Sequence, residues 1–178
     1  SLVLLVSLPA LSGPDGLMGR SSIWERVAPL LRQVERPGRY AGSEWGAAPV
    51  PRDGFGFCMV YPDTYELGQA NQAVRILQNR VNEEPGMAAE RAYLPAADMA
   101  DAMRAADVPL FSLESTTPLT EFDVIGITLP HELCATNVLE VLSLSGIPLF
   151  SGDRSDADPI ILGGAPCAFN PEPYSQIG

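Results

Sequence analysis

The sequence predicts an α/β fold, a mostly parallel sheet covered by helices on both faces, and three observations carry that expectation. From Phe55 onward short apolar runs alternate with helical stretches, the rhythm of strands joined by helical crossovers. A length of 178 residues, 46% of them hydrophobic, suits one domain with a real core and leaves little room for a second. A glycine- and proline-rich connector at residues 40–53 separates this part from a lone amphipathic segment before it.

Taken in order, residues 1–20 read as a tail. The run Leu2 to Leu11 is apolar, but no basic residue precedes it and it is too short to span a bilayer. Ser22-Ile23-Trp24-Glu25 has the form of a capping box, opening a helix with Trp24, Val27, Leu30, Leu31 and Val34 on one face and a bend at Pro29. Pro37-Gly38 ends it, so residues 21–53 form an N-terminal helix and connector, and the α/β domain occupies residues 54–178. Within that domain the expected elements are strand 55–61, helix 69–82, strand 91–94, helix 97–106, strand 123–128, helix 132–145, strand 147–150 and strand 159–163. Residues 108–119 interrupt the rhythm and fit either an extra edge strand or an ordered loop.

Charge and cysteine usage narrow the function classes. A formal charge of −11, with acidic residues interleaved among the arginines between Arg20 and Arg52, leaves no basic patch for a nucleic-acid backbone. The scattered Cys58, Cys134 and Cys167 match neither a disulfide framework nor a zinc ribbon, and a reducing cytoplasm is the expected compartment. With no long apolar helix, no membrane partner is expected.

Ligands of open parallel sheets bind beyond the carboxyl ends of the strands, where the strand order reverses. That directs attention to three loops: Pro62 to Gly68, Leu129 to Glu132, and Gly163 to Pro173. The first holds Asp63, Tyr65 and Gly68; the second follows Thr128 and carries the single histidine, His131; the third opens on Gly163-Gly164, where a missing Cβ lets a ligand approach the backbone. Each also has a plain structural reading: Asp63 capping a helix, Gly68 allowing close packing, His131 as a polar end group.

The frame Asp63-x-Tyr65-x-x-Gly68, with Thr128 after the third strand and Gly163-Gly164 after the last, resembles cobalamin-binding domains of flavodoxin-like, Rossmann-like type. In that family D-x-H-x-x-G supplies a histidine to cobalt, and here tyrosine stands in its place. More widely, Trp24-Glu25-Arg26-Val27, Arg39-Tyr40-x-Gly42-x-Glu44-Trp45, Pro109 to Ser115, Asn137-Val138-Leu139 and Gly163-Gly164-x-Pro166-Cys167-x-Phe169-Asn170-Pro171-Glu172-Pro173 resemble the start of bacterial radical S-adenosylmethionine proteins that join such a domain to a catalytic barrel. The resemblance implies cobalamin as the candidate cofactor, held by Asp63, Tyr65, Gly68, Thr128, Gly163 and Gly164, and the barrel of the same protein as partner. No C-x-x-x-C-x-x-C occurs in the chain, so the 4Fe-4S cluster and S-adenosylmethionine are expected only in that barrel. The chain itself is read as a piece cut short inside the helix after the glycine pair, without catalytic residues. The other reading is a degenerate, cofactor-free interaction module that packs on the catalytic domain.

Overall fold

The computed structural model describes residues 23–42, 54–169 and 172–177. The run Leu2 to Leu11, Ser22 of the expected capping box and most of the connector, Trp45 included, lie outside the described residues. Four strands, β1 (Phe55–Tyr61), β2 (Met87–Tyr93), β3 (Val124–Thr128) and β4 (Ile160–Gly164), form one all-parallel sheet in the order β2-β1-β3-β4. The strand order reverses between β1 and β3, as in a flavodoxin-like fold, and the loops after these two strands leave in opposite directions.

The helices are α1 (Trp24–Val27), α2 (Tyr65–Ala70), α3 (Gln72–Asn82), α4 (Ala97–Ala105) and α5 (Ala135–Ser145). The single helix expected over residues 69–82 is two, because Asn71 takes an extended backbone and its side chain accepts from the Ala73 N–H at 3.0 Å, capping α3. α5 stops at Gly146, whose φ of 72° is the left-handed conformation a helix C-terminus favours. The expected N-terminal helix survives for one turn only. Pro29 has no N–H to continue the ladder, so the chain passes into a 3₁₀ turn at Leu30–Arg32. The apolar stripe is nevertheless buried as its spacing implies: Ile23, Val27, Leu30 and Val34 join the main core.

Alternation along the strands divides the sheet into two unlike faces. Cys58, Val60, Ile125 and Ile127 belong to the main core with residues of α1, α4 and α5. Phe57, Met59 and Ala89 turn the other way and pack with Val74 and Val81 of α3. Because α3 lies over β1 and β2, the β3–β4 half of that second face stays open, and Ile160 and Leu162 are 60% and 48% exposed.

Two expectations about strands are corrected. Residues 147–150 form no strand: the Ile147 N–H returns to the Leu142 carbonyl at 3.0 Å, and Ile147 and Leu149 anchor the loop to the core. Short apolar runs report burial, which a loop residue folded back on its helix satisfies as well as a strand does. β2 begins at Met87 rather than residue 91, since Ala88 and Ala89 are apolar enough for a fully buried strand but lack the branched side chains that flag one.

Residues 108–119 are an ordered loop, closed on itself by an isolated antiparallel bridge between Phe111 and Pro118. The loop covers the free edge of β2. Leu113 N–H donates to the Arg91 carbonyl and Arg91 N–H to Glu114 Oε2, both at 2.7 Å, so side chain and backbone take the place of a further strand. Gly42, with φ 61°, packs on this loop from the N-terminal segment; a Cβ there would stand 2.2 Å from the Leu113 carbonyl oxygen.

Candidate functional site

All six expected site residues lie at or near the carboxyl ends of the strands, yet the structure separates them into two groups. Asp63, Tyr65 and Gly68 follow β1 and turn toward β2. Asp63 Oδ1 accepts from the Thr64 N–H at 2.7 Å, and its carbonyl accepts from Leu94 N–H at 3.0 Å. Tyr65 meets Tyr93 of β2 edge to face, ring centroids 5.5 Å apart, and its hydroxyl accepts from Gln69 Nε2 at 3.0 Å. A Cβ on Gly68 would stand 2.3 Å from the Tyr93 ring. The glycine is thus explained by the aromatic ring packed against it.

That aromatic pair joins a polar network on the α3 face. Arg91 donates through Nε to Glu114 Oε1 at 2.7 Å and through Nη1 to Gln69 Oε1 at 3.0 Å, while Gln78 Nε2 donates to Glu114 Oε1 at 3.0 Å. Neither Arg91 nor Glu114 stood out in sequence. The available signal was a pair of charged residues inside an otherwise apolar stretch, Ala88-Ala89-Glu90-Arg91-Ala92, since buried charges need partners.

The second group, Thr128, Gly163 and Gly164, lines an open apolar groove of about 460 Å³ on the uncovered half of the sheet. Its walls are Phe57, Met59 and Leu162 from the sheet and Val74 and Leu77 from α3. Gly126 widens it indirectly, because a Cβ there would stand 2.6 Å from the Phe57 ring. The two adjacent glycines of β4 differ. A Cβ on Gly163 would meet Leu129 Cδ1 at 2.9 Å, whereas one on Gly164 meets nothing within 4 Å. A Cβ on Gly163 would be met closely only by the flexible end of Leu129, and Gly164 borders open space.

The three loops are held together by hydrogen bonds that cross between them. Asn137 Nδ2 at the start of α5 donates to the Pro62 carbonyl at 2.8 Å, Leu129 N–H to the Gly164 carbonyl at 2.7 Å, and Cys167 N–H to the Leu129 carbonyl at 3.1 Å. On the outer side of α2, Arg36 and Arg39 converge on Glu66 at 3.1 and 2.9 Å, and the Arg39 hydrogen bond lowers the Glu66 pKa. Tyr40 Oη accepts from Ala96 N–H at 3.1 Å. The Arg39-Tyr40-x-Gly42 stretch therefore fastens the N-terminal segment to the domain.

Cys58, Cys134 and Cys167 are all buried. Burial is the main cause that pushes the Cys134 thiol up, with the nearby Asp63 and Cys167 adding to it. His131 Nδ1 is 3.5 Å from Cys134 Sγ. Among the described residues no group of three or more His, Cys, Asp or Glu is arranged to hold a metal ion.

An all-parallel β2-β1-β3-β4 sheet flanked by helices defines a flavodoxin-like α/β architecture. Residues 73–177 match the family model described as Radical SAM proteins, N-terminal. The match covers more than half of the 178-residue chain, which belongs to this family. No curated protein and no solved structure matches the chain. Membership implies a catalytic radical SAM domain as partner in the full protein. Among the described residues no helix is long and apolar enough to cross a membrane.

Proposed function

We propose that this domain is the corrinoid-binding accessory domain of a radical SAM protein, and that the groove bordered by Thr128 and Gly164 takes the apolar end of the cofactor's nucleotide tail. The observation that carries the reading is the groove itself. It lies on the half of the sheet left uncovered by α3, is walled by Phe57, Met59, Leu77 and Leu162, and has a side-chain hydroxyl and a glycine beside open space at its strand-end rim. Such a mostly apolar cleft with few polar groups suits a flat heteroaromatic ring. Thr128 and Gly164 would hold the tail, and Gly163 would keep Leu129 in place behind them. A bound corrinoid supplies a cobalt centre able to carry an alkyl group, while the 4Fe-4S cluster and S-adenosylmethionine belong to the partner barrel. In this reading the protein works in a reducing cytoplasm.

One observation favours a second reading, a cofactor-free module that only packs on the catalytic domain. Tyr65 and Gly68 are engaged with Tyr93, and no protein imidazole stands at the lower-ligand position. Titration of hydroxocobalamin into the full-length protein, followed by absorbance and equilibrium dialysis, separates the two. Saturable binding that Gly164→Phe abolishes and Tyr65→Phe leaves unchanged supports the groove. Absence of binding to the full-length protein supports the packing module.

A further inference from the structure

The two most exposed large apolar side chains among the described residues stand at one edge of the sheet. Phe169 is 94% exposed and Leu133 85%, the first on the loop after β4 and the second on the loop after β3. Both loops carry a short 3₁₀ turn, Glu132–Cys134 and Pro166–Phe169, that buries a cysteine and leaves its largest apolar residue in water. Cys134 N–H donates to the His131 carbonyl and Cys167 N–H to the Leu129 carbonyl, both at 3.1 Å. The turns adjoin, with Cys167 near the Cys134 thiol. Ala165, which opens the second turn, has φ 78°, a left-handed conformation that is costly for a residue with a Cβ. The backbone is thus firmly held while Leu133 and Phe169 stay out of the domain's own core. Adjoining apolar groups presented in this way mark an interaction site.

We propose that Leu133 and Phe169 form the centre of a docking surface for the catalytic radical SAM domain of the same protein, which meets them with an apolar patch rimmed by basic side chains. Charge selects the kind of partner. The loops at this edge, residues 62–68, 129–134 and 163–174, hold Asp63, Glu66, Glu132 and Glu172 and no lysine or arginine. Glu66 is paired with Arg36 and Arg39, whereas Glu132 and Glu172 are exposed beside the apolar pair. A second copy docking here about a two-fold axis would set these carboxylates against their own counterparts, and facing like charges oppose association. A nucleic-acid backbone is repelled for the same reason. Family membership supplies a partner free of that obstacle. The catalytic domain is tethered to this one, so its effective concentration is high and a small apolar centre with a charged rim is enough to hold it. The surface is independent of the corrinoid reading, because neither Leu133 nor Phe169 lines the groove.

The test places p-benzoylphenylalanine at position 169 of the full-length protein, a photo-cross-linker that reports what lies against that side chain. The protein is irradiated with and without hydroxocobalamin, and the joined peptides are identified by mass spectrometry. The expected result is an intramolecular cross-link to the catalytic domain in both states. Leu133→Glu should cut its yield by about tenfold, since a charge replaces an apolar contact worth about 1.5–3 kcal/mol on burial. Glu132→Arg should also cut the yield, because it sets a cation against the basic rim. Leu133 and Glu132 are exposed, so thermal melting should show both variants folded as wild type. An unchanged or greater yield in either variant would overturn the inference. So would the absence of any cross-link, or cross-links confined to a second copy, to another segment of this domain or to the cobalamin.

Discussion

Arg91 and Glu114 form an ion pair with 2% and 1% of their side chains exposed, Nε to Oε1 at 2.7 Å, between an edge strand and the loop that covers it. Glu114 also accepts from the Arg91 N–H and from Gln78, so its lone pairs are well used. Removing one partner of such a pair leaves an uncompensated buried charge, which costs about 3–5 kcal/mol. Glu114→Leu and Arg91→Met should each lower the unfolding free energy by that order. The double variant should lose much less than the sum of the two, as a double-mutant cycle in urea would show.

Gly68→Ala tests whether this glycine serves packing. The added Cβ would lie 2.3 Å from the Tyr93 ring, and overpacking of a filled site costs about 1–3 kcal/mol. Adding Tyr93→Leu to Gly68→Ala should restore part of the loss. No recovery in thermal or chemical unfolding would assign the glycine another role.

Glu90 predicts a pH dependence. Burial is the main cause that raises its carboxyl pKa, against the hydrogen bond it accepts from Ser115 Oγ at 2.6 Å. The native state then holds the proton more tightly than the unfolded chain does. Stability is therefore lost as pH rises from the ordinary glutamate value of about 4.3 through the raised one. In Glu90→Gln, whose amide oxygen can still accept from Ser115, that part of the slope should vanish, leaving the variant at least as stable as wild type at neutral pH. The difference between the two denaturation curves across pH isolates this group.

The cysteines predict slow thiol chemistry. All three are buried, and burial pushes the Cys134 and Cys167 thiols up. The thiolate is the reactive form, so the folded protein should react with Ellman's reagent far more slowly than in denaturant, where three thiols should titrate at once. Rapid modification of one thiol under native conditions would show that its site opens easily.

Particular residues show what was legible before folding. Hydrophobic spacing alone marked Val27, Leu30 and Val34 as buried, because one buried face of a turn demands it whatever the remainder of the chain does. The alternation of apolar runs and helical stretches was enough for a parallel sheet, since only crossover connections join parallel neighbours. The resemblance carried by the motifs pointed to the radical SAM family that residues 73–177 match.

Other features depend on neighbours that local pattern does not name. Ile147 and Leu149 resemble a strand until the core beneath α5 is in place to receive them. Tyr65 packs edge to face on Tyr93, 28 positions later in the chain. Gly163 and Gly164 are identical in sequence but not in surroundings, because strand alternation places Leu129 against one and open space against the other. The sequence by itself determined which residues are apolar and that the sheet is parallel, both consequences of local spacing and backbone chemistry. Only tertiary structure decided which polar groups become partners, which glycines face a void and where Tyr174 is left without a hydrogen bond, because these follow from contacts between segments distant in the chain.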